Sequence, residues 1–424
     1  MTSTSTPSRA RTADRPRGRS GTWRSHLDSP VATYNLIAGV TLALVVFGLV
    51  MVLSASTVMS LEETDLASPY AIFDSQLVFA VIGTVALVVA ARMPVIAWKR
   101  LAIPALLGAL ALQLLVFVPG IGFAVNGNRN WIHVGPLTMQ PSELIKVGLV
   151  LVGGLVLSRK HKHLDHLGHV VIPFLIPIAA ASVALVLVGG DLGTVLVLGA
   201  IIAALLYAAG VPGRWFAFSF AGFAAMATSL VLLSPNRLAR FDVWLGRDTN
   251  PFGQARQPMQ GRFALADGGW FGLGLGASRE KWQWLSEPHN DFIFAIIGEE
   301  LGLPGTIVVL VLFALLALAC YRLVVRTTDT FVRIATAGAM TWIVVQAMVN
   351  IGAVIGLLPV IGLPLPLVSS GGSSLVTTML ALGVLLSFAR AEPGCAEALA
   401  ARPSVLRRTL SVVPTRALRR RSGR

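Results

Sequence analysis

Ten long apolar runs constrain this chain more than any other feature. A membrane-crossing helix needs about 20 predominantly apolar residues. Runs of this kind fall at 32–53, 73–92, 99–118, 142–158, 170–188, 191–209, 214–233, 303–325, 332–352 and 373–390. Backbone inside lipid must satisfy its own hydrogen bonds, so the runs predict helices. The expected fold is an all-α polytopic membrane protein of about ten transmembrane helices, with a large extracytoplasmic loop between spans seven and eight. Composition agrees: 55% of the 424 residues are hydrophobic and 13% are charged, against roughly 25% charged in an average soluble domain. That balance excludes a string of soluble domains and a disordered chain. Two cysteines, Cys320 and Cys395, exclude a disulfide framework. The first run is too long, and its basic leader too extended, for a cleaved signal peptide.

Charge sets the topology. The net charge of +14 is concentrated in two Arg-rich tails, 1–31 and 391–424, both expected to be disordered. Basic tails next to membrane spans read as topology signals and anionic-lipid contacts rather than as a nucleic-acid surface. An even number of spans puts both tails on one side. Arg92, Lys99 and Arg100, then Arg159, Lys160 and Lys162, then Arg214, then Arg322, Arg326 and Arg333 all fall on that same side. The opposite loop 54–72 carries Glu62, Glu63 and Asp65 with no Lys or Arg, and the loop 353–372 carries no charge. The positive-inside rule then makes both termini cytoplasmic. The domain organisation is a tail, a ten-span membrane domain over 32–390, and a second tail.

One connection stands apart. Residues 234–302 form an extracytoplasmic loop rich in Arg, Asp and Glu. A loop this long in a compact domain is usually functional. Within it, Glu287-Pro288-His289-Asn290-Asp291-Phe292-Ile293-Phe294 places a carboxylate where an apolar helical stretch begins. Asp291 reads as a helix cap or as a general base with His289 beside it. Burial would raise its pKa and a helix N-terminus would lower it. Earlier in the chain, Asn128-Arg129-Asn130-Trp131 precedes Gln140-Pro141-Ser142-Glu143-Leu144-Ile145-Lys146. Glu143 and Lys146, three apart, share a helix face. They read as a structural ion pair or as part of a polar cavity opening outward. Arg129 has the planar fork that suits a phosphate. Asp191-Leu192-Gly193-Thr194, at the hairpin after Gly189-Gly190, reads as a cap or turn or as a further polar site. Ser369-Ser370-Gly371-Gly372-Ser373 reads as a re-entrant turn or as a cavity lining.

Other motifs fail. Gly272, Gly274 and Gly276 lack the βαβ setting of a dinucleotide fingerprint. The chain has no Walker A sequence, so no nucleotide cofactor is expected, and it has no Ser-x-x-Lys set of an acyl-serine transpeptidase. His161, His163, His166 and His169 cluster in a cytoplasmic loop that reads as solvated and basic, with a metal site the lesser alternative. The absence of an internal repeat argues against a transporter built from inverted halves.

In their order and spacing the motifs resemble the SEDS family, the shape, elongation, division and sporulation proteins. The resemblance runs from about 32 to 390. It rests on Asn128-Arg129-Asn130-Trp131, Pro141-Ser142-Glu143-x-x-Lys146, Asp191-Leu-Gly-Thr194, Gln260 with Ala264-Leu265-Ala266-Asp267-Gly268-Gly269, His289-x-Asp291-Phe-Ile-Phe294 with Glu299-Glu300, and Ser369-x-Gly-Gly-Ser373. Details look like the division branch of a high-GC actinobacterium, with the elongation branch as the near alternative. The sequence departs from the family at Asn290, where Thr is commoner, at Ser370, where Tyr or Ala is often seen, and at Gly190, where Pro is usual. The resemblance implies an enzyme that polymerises peptidoglycan glycan strands from lipid II at the outer face of the cytoplasmic membrane, at the division septum. It implies Asp291 as the essential aspartate. Arg129, Trp131, Glu143, Lys146, Asp191, Arg240, Gln260, His289, Glu300 and Ser373 are the candidate substrate-binding residues. Arg129, Lys146, Arg240 or a divalent cation (Mg or Mn) would stabilise the departing diphosphate; no resident protein metal site is expected. The implied partners are lipid II, the nascent strand, a class B penicillin-binding protein that cross-links the peptides, other division proteins and membrane lipid, with no nucleic acid. A lipid II flippase and a non-catalytic division scaffold are the readings from other classes.

Overall fold

The computed structural model describes residues 29, 31–63, 68–125, 128–135, 137–160, 168, 171–232, 234–250, 253–282, 284–285 and 287–400. Most of both Arg-rich tails, Asp65 and the four-histidine loop lie outside them. The described chain is a helical bundle with one small sheet. Helices α1 (Ala32–Glu63), α2 (Ala71–Arg92) and α3 (Val95–Leu115) lead into strands β1 (Gly122–Val125), β2 (Asn128–Val134) and β3 (Leu137–Met139). Next come α4 (Pro141–Lys160), a π-helical stretch Val171–Ala180 continuing as α5 (Ala181–Val188), α6 (Leu192–Ala209) and α7 (Gly213–Leu232). Helices α8 (Pro235–Trp244) and α9 (Arg256–Gly268) belong to the large loop, followed by α10 (Ile293–Arg326), α11 (Thr330–Val354), α12 (Gly372–Arg390) and α13 (Cys395–Ala400).

Among the described residues, nine helices are long and apolar enough to cross a membrane. The fifth expected span, 170–188, is instead a shorter apolar helix, Ile172–Val188. Pro177 lies inside its π-wound part, and a proline, lacking an N–H, disrupts regular α-winding. The segment still returns the chain to the sheet-bearing end, because the Gly189 carbonyl accepts a hydrogen bond from the Arg129 backbone N–H at 2.9 Å.

Helices α4 and α12 lie in the bundle interior, whereas α7 has no buried residue. The parallel pair α2 and α12 packs through glycine: a Cβ on Gly83 would strike the Met379 sulfur, and one on Gly372 the Phe79 ring. Small residues that let helices approach closely are the usual device where lipid supplies no hydrophobic drive between them. The end remote from the sheet is basic. There Arg390 donates to the Arg92 carbonyl at 2.7 Å and Lys99 pairs with Asp329 at 2.6 Å.

Three further expectations need correction. Helix α1 runs ten residues past its expected end at 53, so the outer loop does not begin at Ser54. The start of the C-terminal tail is structured, since α13 follows α12 and Cys395 is buried; both cysteines are free. The loop 234–302 holds two helices and the first turns of a third.

That third helix, α10, breaks at Gly302, where φ is 65° and ψ −158°. Pro304 has no N–H to bond the Glu300 carbonyl four residues back. The glycine-rich strap after α9 makes good the loss: Leu273 N–H donates to the Glu299 carbonyl and Gly274 N–H to the Glu300 carbonyl, both at 2.9 Å. Gly272 and Gly302 meet so closely that a Cβ on either would overlap the other's backbone, and both have positive φ. The glycines passed over as a nucleotide fingerprint are therefore a backbone splint.

Candidate functional site

Asp291 lies at the sheet-bearing end, just before α10. It does not act as the helix cap: Phe292 is the N-cap residue and no side chain caps the helix. Its carboxylate is thus left available, while its backbone is pinned. Asn350 of α11 donates to the Asp291 carbonyl at 2.8 Å and to the Leu363 carbonyl at 2.7 Å. Ser369 donates to the Asn290 carbonyl at 2.8 Å, and Ser370 N–H to the His289 carbonyl at 2.9 Å. Gln76 of α2 in turn donates to the Ser369 carbonyl at 3.1 Å. Among the described residues, the two non-glycine residues with positive φ are Glu287 (58°) and Leu367 (66°), one on each of the two facing segments. Left-handed backbone at such residues persists only where the surroundings over-determine it, and it is enriched at functional sites.

The side chain opens into a small pocket with Phe292, Asn350, Val360, Ile361, Gly362 and Leu363 among its walls. Gly362 lines the pocket beside Asp291 Oδ2 and has a φ of 80°, a backbone conformation that favours glycine. Burial pushes the Asp291 carboxyl up to about 7, the nearby Glu287 charge adds to the rise, and Arg240 opposes it. Arg240 projects from α8 and donates to the Val360 carbonyl at 3.4 Å. His289 is buried, with its imidazole Nε2 3.9 Å from Glu287 Oε2. Gly261, next to Gln260 on α9, packs against the Phe292 ring, where a Cβ would come within 2.9 Å.

A second group is fully enclosed. Lys146 Nζ donates to Glu143 Oε1 at 2.7 Å and to Gln346 Oε1 at 3.0 Å, and sits 4.8 Å from the centre of the Trp342 ring. Neither side chain of the ion pair exceeds 3% exposure. Of the two readings offered for this pair, the structure has the enclosed ion pair, with α11 and α12 supplying its further partners: Thr377 donates to Glu143 Oε2 at 3.3 Å. Asp191 caps α6 as its sequence suggested, accepting from Thr194 N–H at 2.8 Å and Thr194 Oγ1 at 2.7 Å. Burial raises its pKa against the pull of those bonds. Gln140 links the parts, donating its side-chain amide to Asp191 Oδ2 at 2.7 Å and its backbone N–H to Ser373 Oγ at 3.3 Å. Gln346 donates to the Pro364 carbonyl at 3.0 Å, next to the Leu363 carbonyl held by Asn350. Polar contacts therefore run from Asp191 through Gln140, Ser373, Thr377, Glu143 and Lys146 to Gln346, and the 363–364 backbone separates Gln346 from Asn350, which holds the Asp291 main chain.

The remaining candidates stand elsewhere. Arg129 and Trp131 are on β2, with the Arg129 guanidinium 3.5 Å from the Val118 carbonyl. Glu300 is buried, accepts from Ser54 at 2.6 Å and pairs with Lys281 at 3.5 Å. It anchors the strap rather than joining Asp291. Among the described residues, no three His, Cys, Asp or Glu side chains converge on a metal-binding arrangement. Sequence reading missed Asn350, Gln346 and Gln76; an amide inside an apolar run was the available signal.

Comparison with known proteins gives a consistent result. A family model described as "Cell cycle protein", covering FtsW, RodA and SpoVE, matches residues 34–393. The "Probable peptidoglycan glycosyltransferase FtsW" of Mycobacterium tuberculosis is 41% identical over 387 residues, covering 91% of this chain and 73% of that protein. The "Stage V sporulation protein E" of Bacillus subtilis is 36% identical over 357 residues, 84% of this chain and 96% of its own. Among solved structures, a chain described under "Structural coordination of polymerization and crosslinking by a peptidoglycan synthase complex" has a TM-score of 0.67 at 26% identity, with 84% of this chain and 96% of that chain covered. A variant of the rod shape determining protein RodA from Thermus thermophilus has a TM-score of 0.62 at 25% identity, covering 84% and 97%.

Proposed function

The chain belongs to the cell cycle protein family of FtsW, RodA and SpoVE, and from that premise we propose that it is a peptidoglycan glycosyltransferase of the division type. Its substrate is lipid II, presented at the outer leaflet with its carrier tail in the bilayer and its sugars outside. Relatives named FtsW at up to 41% identity favour the division branch over the elongation branch. A chain of the same fold in a complex described by polymerization and crosslinking supports a class B penicillin-binding protein as partner. Basic residues gathered at the end remote from the sheet support cytoplasmic termini, which puts the Asp291 end outside.

The observation that carries the chemistry is the Asp291 carboxylate itself. It lies in a pocket, is not spent on a cap, and is held by burial at a pKa of about 7, near the optimum for a general base at neutral pH. Asp291 takes the proton from the 4-hydroxyl of the acceptor N-acetylglucosamine on lipid II. The freed oxygen attacks the anomeric carbon of the donor strand. The bond to the polyprenyl diphosphate breaks as the new bond forms, so one displacement turns an α-linked donor into a β-1,4 product. Arg240, exposed beside the pocket, and Arg129, half-buried on β2, are cations for the departing diphosphate. Lys146, enclosed by its partners, acts on the pocket only through Gln346 and the 363–364 backbone.

The test is lipid II polymerisation by purified protein, with and without the class B partner. Removing a general base typically costs 10²–10⁴-fold, so Asp291→Asn is expected to lose polymerisation while inserting and folding normally. Unchanged polymerisation by that variant would overturn the assignment. A flippase would instead move lipid II across vesicles at an Asp291-independent rate.

A further inference from the structure

The Asp291 chemistry leaves one prominent surface without a role. At the turn between α9 and the strap, Trp270 is 74% exposed and Phe271 is 90% exposed, followed by Leu273 and Leu275 at 38% and 60%. Exposed aromatic and aliphatic side chains in a row mark an interaction site on any soluble surface. Their level in the bundle identifies the partner. The backbone of this turn abuts the α10 break, since the Gly269 carbonyl accepts from Leu303 N–H at 3.2 Å. From Arg322, at the basic end of α10, to Gly302 the rise is about 30 Å at ~1.5 Å per residue, one hydrocarbon thickness. Helix α1 gives the same level independently. From Ala32 to Ser54 is about 33 Å by the same rise, and Ser54 accepts from the Gly276 N–H of the strap at 3.1 Å. Immediately below the turn, Leu303, Ile307 and Val308 of α10 are exposed at 41%, 46% and 46% and face lipid. The patch is thus continuous with the lipid-facing surface and lies where tryptophan side chains partition, the boundary between headgroups and acyl chains.

We propose that the Gly269–Gly276 turn is a bilayer wedge: Trp270 and Phe271 insert into the headgroup–acyl boundary of the leaflet on the Asp291 side. The splint of Leu273 and Gly274 on the α10 break then ties the membrane surface to the nine-residue stub 293–301 that Asp291 precedes.

The experiment uses the full chain in nanodiscs of phosphatidylcholine, with or without bromine on the upper acyl chain. The chain has nine tryptophans, so the reading is the difference between wild type and Trp270→Phe. The expected result is a lower bromine-quenchable fraction of emission in Trp270→Phe, restored in Trp270→Phe/Phe271→Trp. Both substitutions lie on an exposed turn, and matching thermal unfolding checks the fold. Equal quenching in wild type and Trp270→Phe, or no recovery with the relocated tryptophan, refutes the wedge. So does a Trp270 signal open to aqueous acrylamide in lipid alone and shielded only when a class B penicillin-binding protein is added, which would make the turn a protein-docking surface.

Discussion

The pH dependence of polymerisation is the most direct probe of the Asp291 pocket. A general base works as its carboxylate, so activity follows the ionised fraction. An aspartate in water has a pKa of about 3.9 and would be fully ionised across pH 5.5 to 8.5. With the carboxyl at about 7, roughly a tenth is ionised at pH 6 and roughly nine-tenths at pH 8. Initial rates of lipid II consumption by the purified protein are therefore expected to fall about tenfold as pH drops from 8 to 6. Two neighbours fix the sign of further changes. Glu287 adds to the rise, so Glu287→Gln moves the acid limb to lower pH; Arg240 opposes it, so Arg240→Gln moves the limb to higher pH. The two variants must shift in opposite directions, which loss of structure alone does not produce. A rate flat from pH 5.5 to 8, or both variants shifting the same way, would falsify the pocket as the source of the titration.

The buried network gives three more expectations. Asn350→Ala removes donors to two carbonyls at 2.8 and 2.7 Å. It should cost about 2–4 kcal/mol in unfolding and lower kcat of polymerisation more than it raises KM. Lys146→Met leaves the Glu143 carboxylate buried without its counter-ion, a loss of roughly 3–5 kcal/mol. Adding Glu143→Gln should recover most of that stability, as read by thermal unfolding in detergent; a fully stable single variant would show that the pair does not hold the helices. Gly302→Ala introduces a Cβ 2.4 Å from Gly272 N at a φ of 65°. Melting should fall by the equivalent of about 1–3 kcal/mol, with increased protease cleavage in the strap.

The spans were legible because hydropathy is decisive where the solvent is lipid. The ends of the spans were not. Ser54–Glu63 continues α1 although its sequence turns polar, because Ser54 bonds Glu300 and the strap rather than water. The hairpin at 122–139 gives no period-2 signal strong enough to read, as its strands are three to seven residues long. At the site, Asp291, Glu143, Lys146 and Asp191 were all visible as ionisable groups next to apolar runs. Which of them is enclosed and which opens into a pocket depends on Gln346, Thr377 and Gln140, partners 51 to 234 residues away in sequence. Asn350 was hidden, with Gln346 one turn before it, in a mostly apolar run.

The interruption at Gly302 has a mechanical meaning. The nine residues before it are joined to the membrane rod through one left-handed glycine, yet are stitched to the 269–281 segment by backbone bonds and by the Glu299 and Glu300 carboxylates. A push or pull on that loop is therefore felt at the aspartate first and by the embedded helices second. Any protein that grips the loop holds a lever on the reaction.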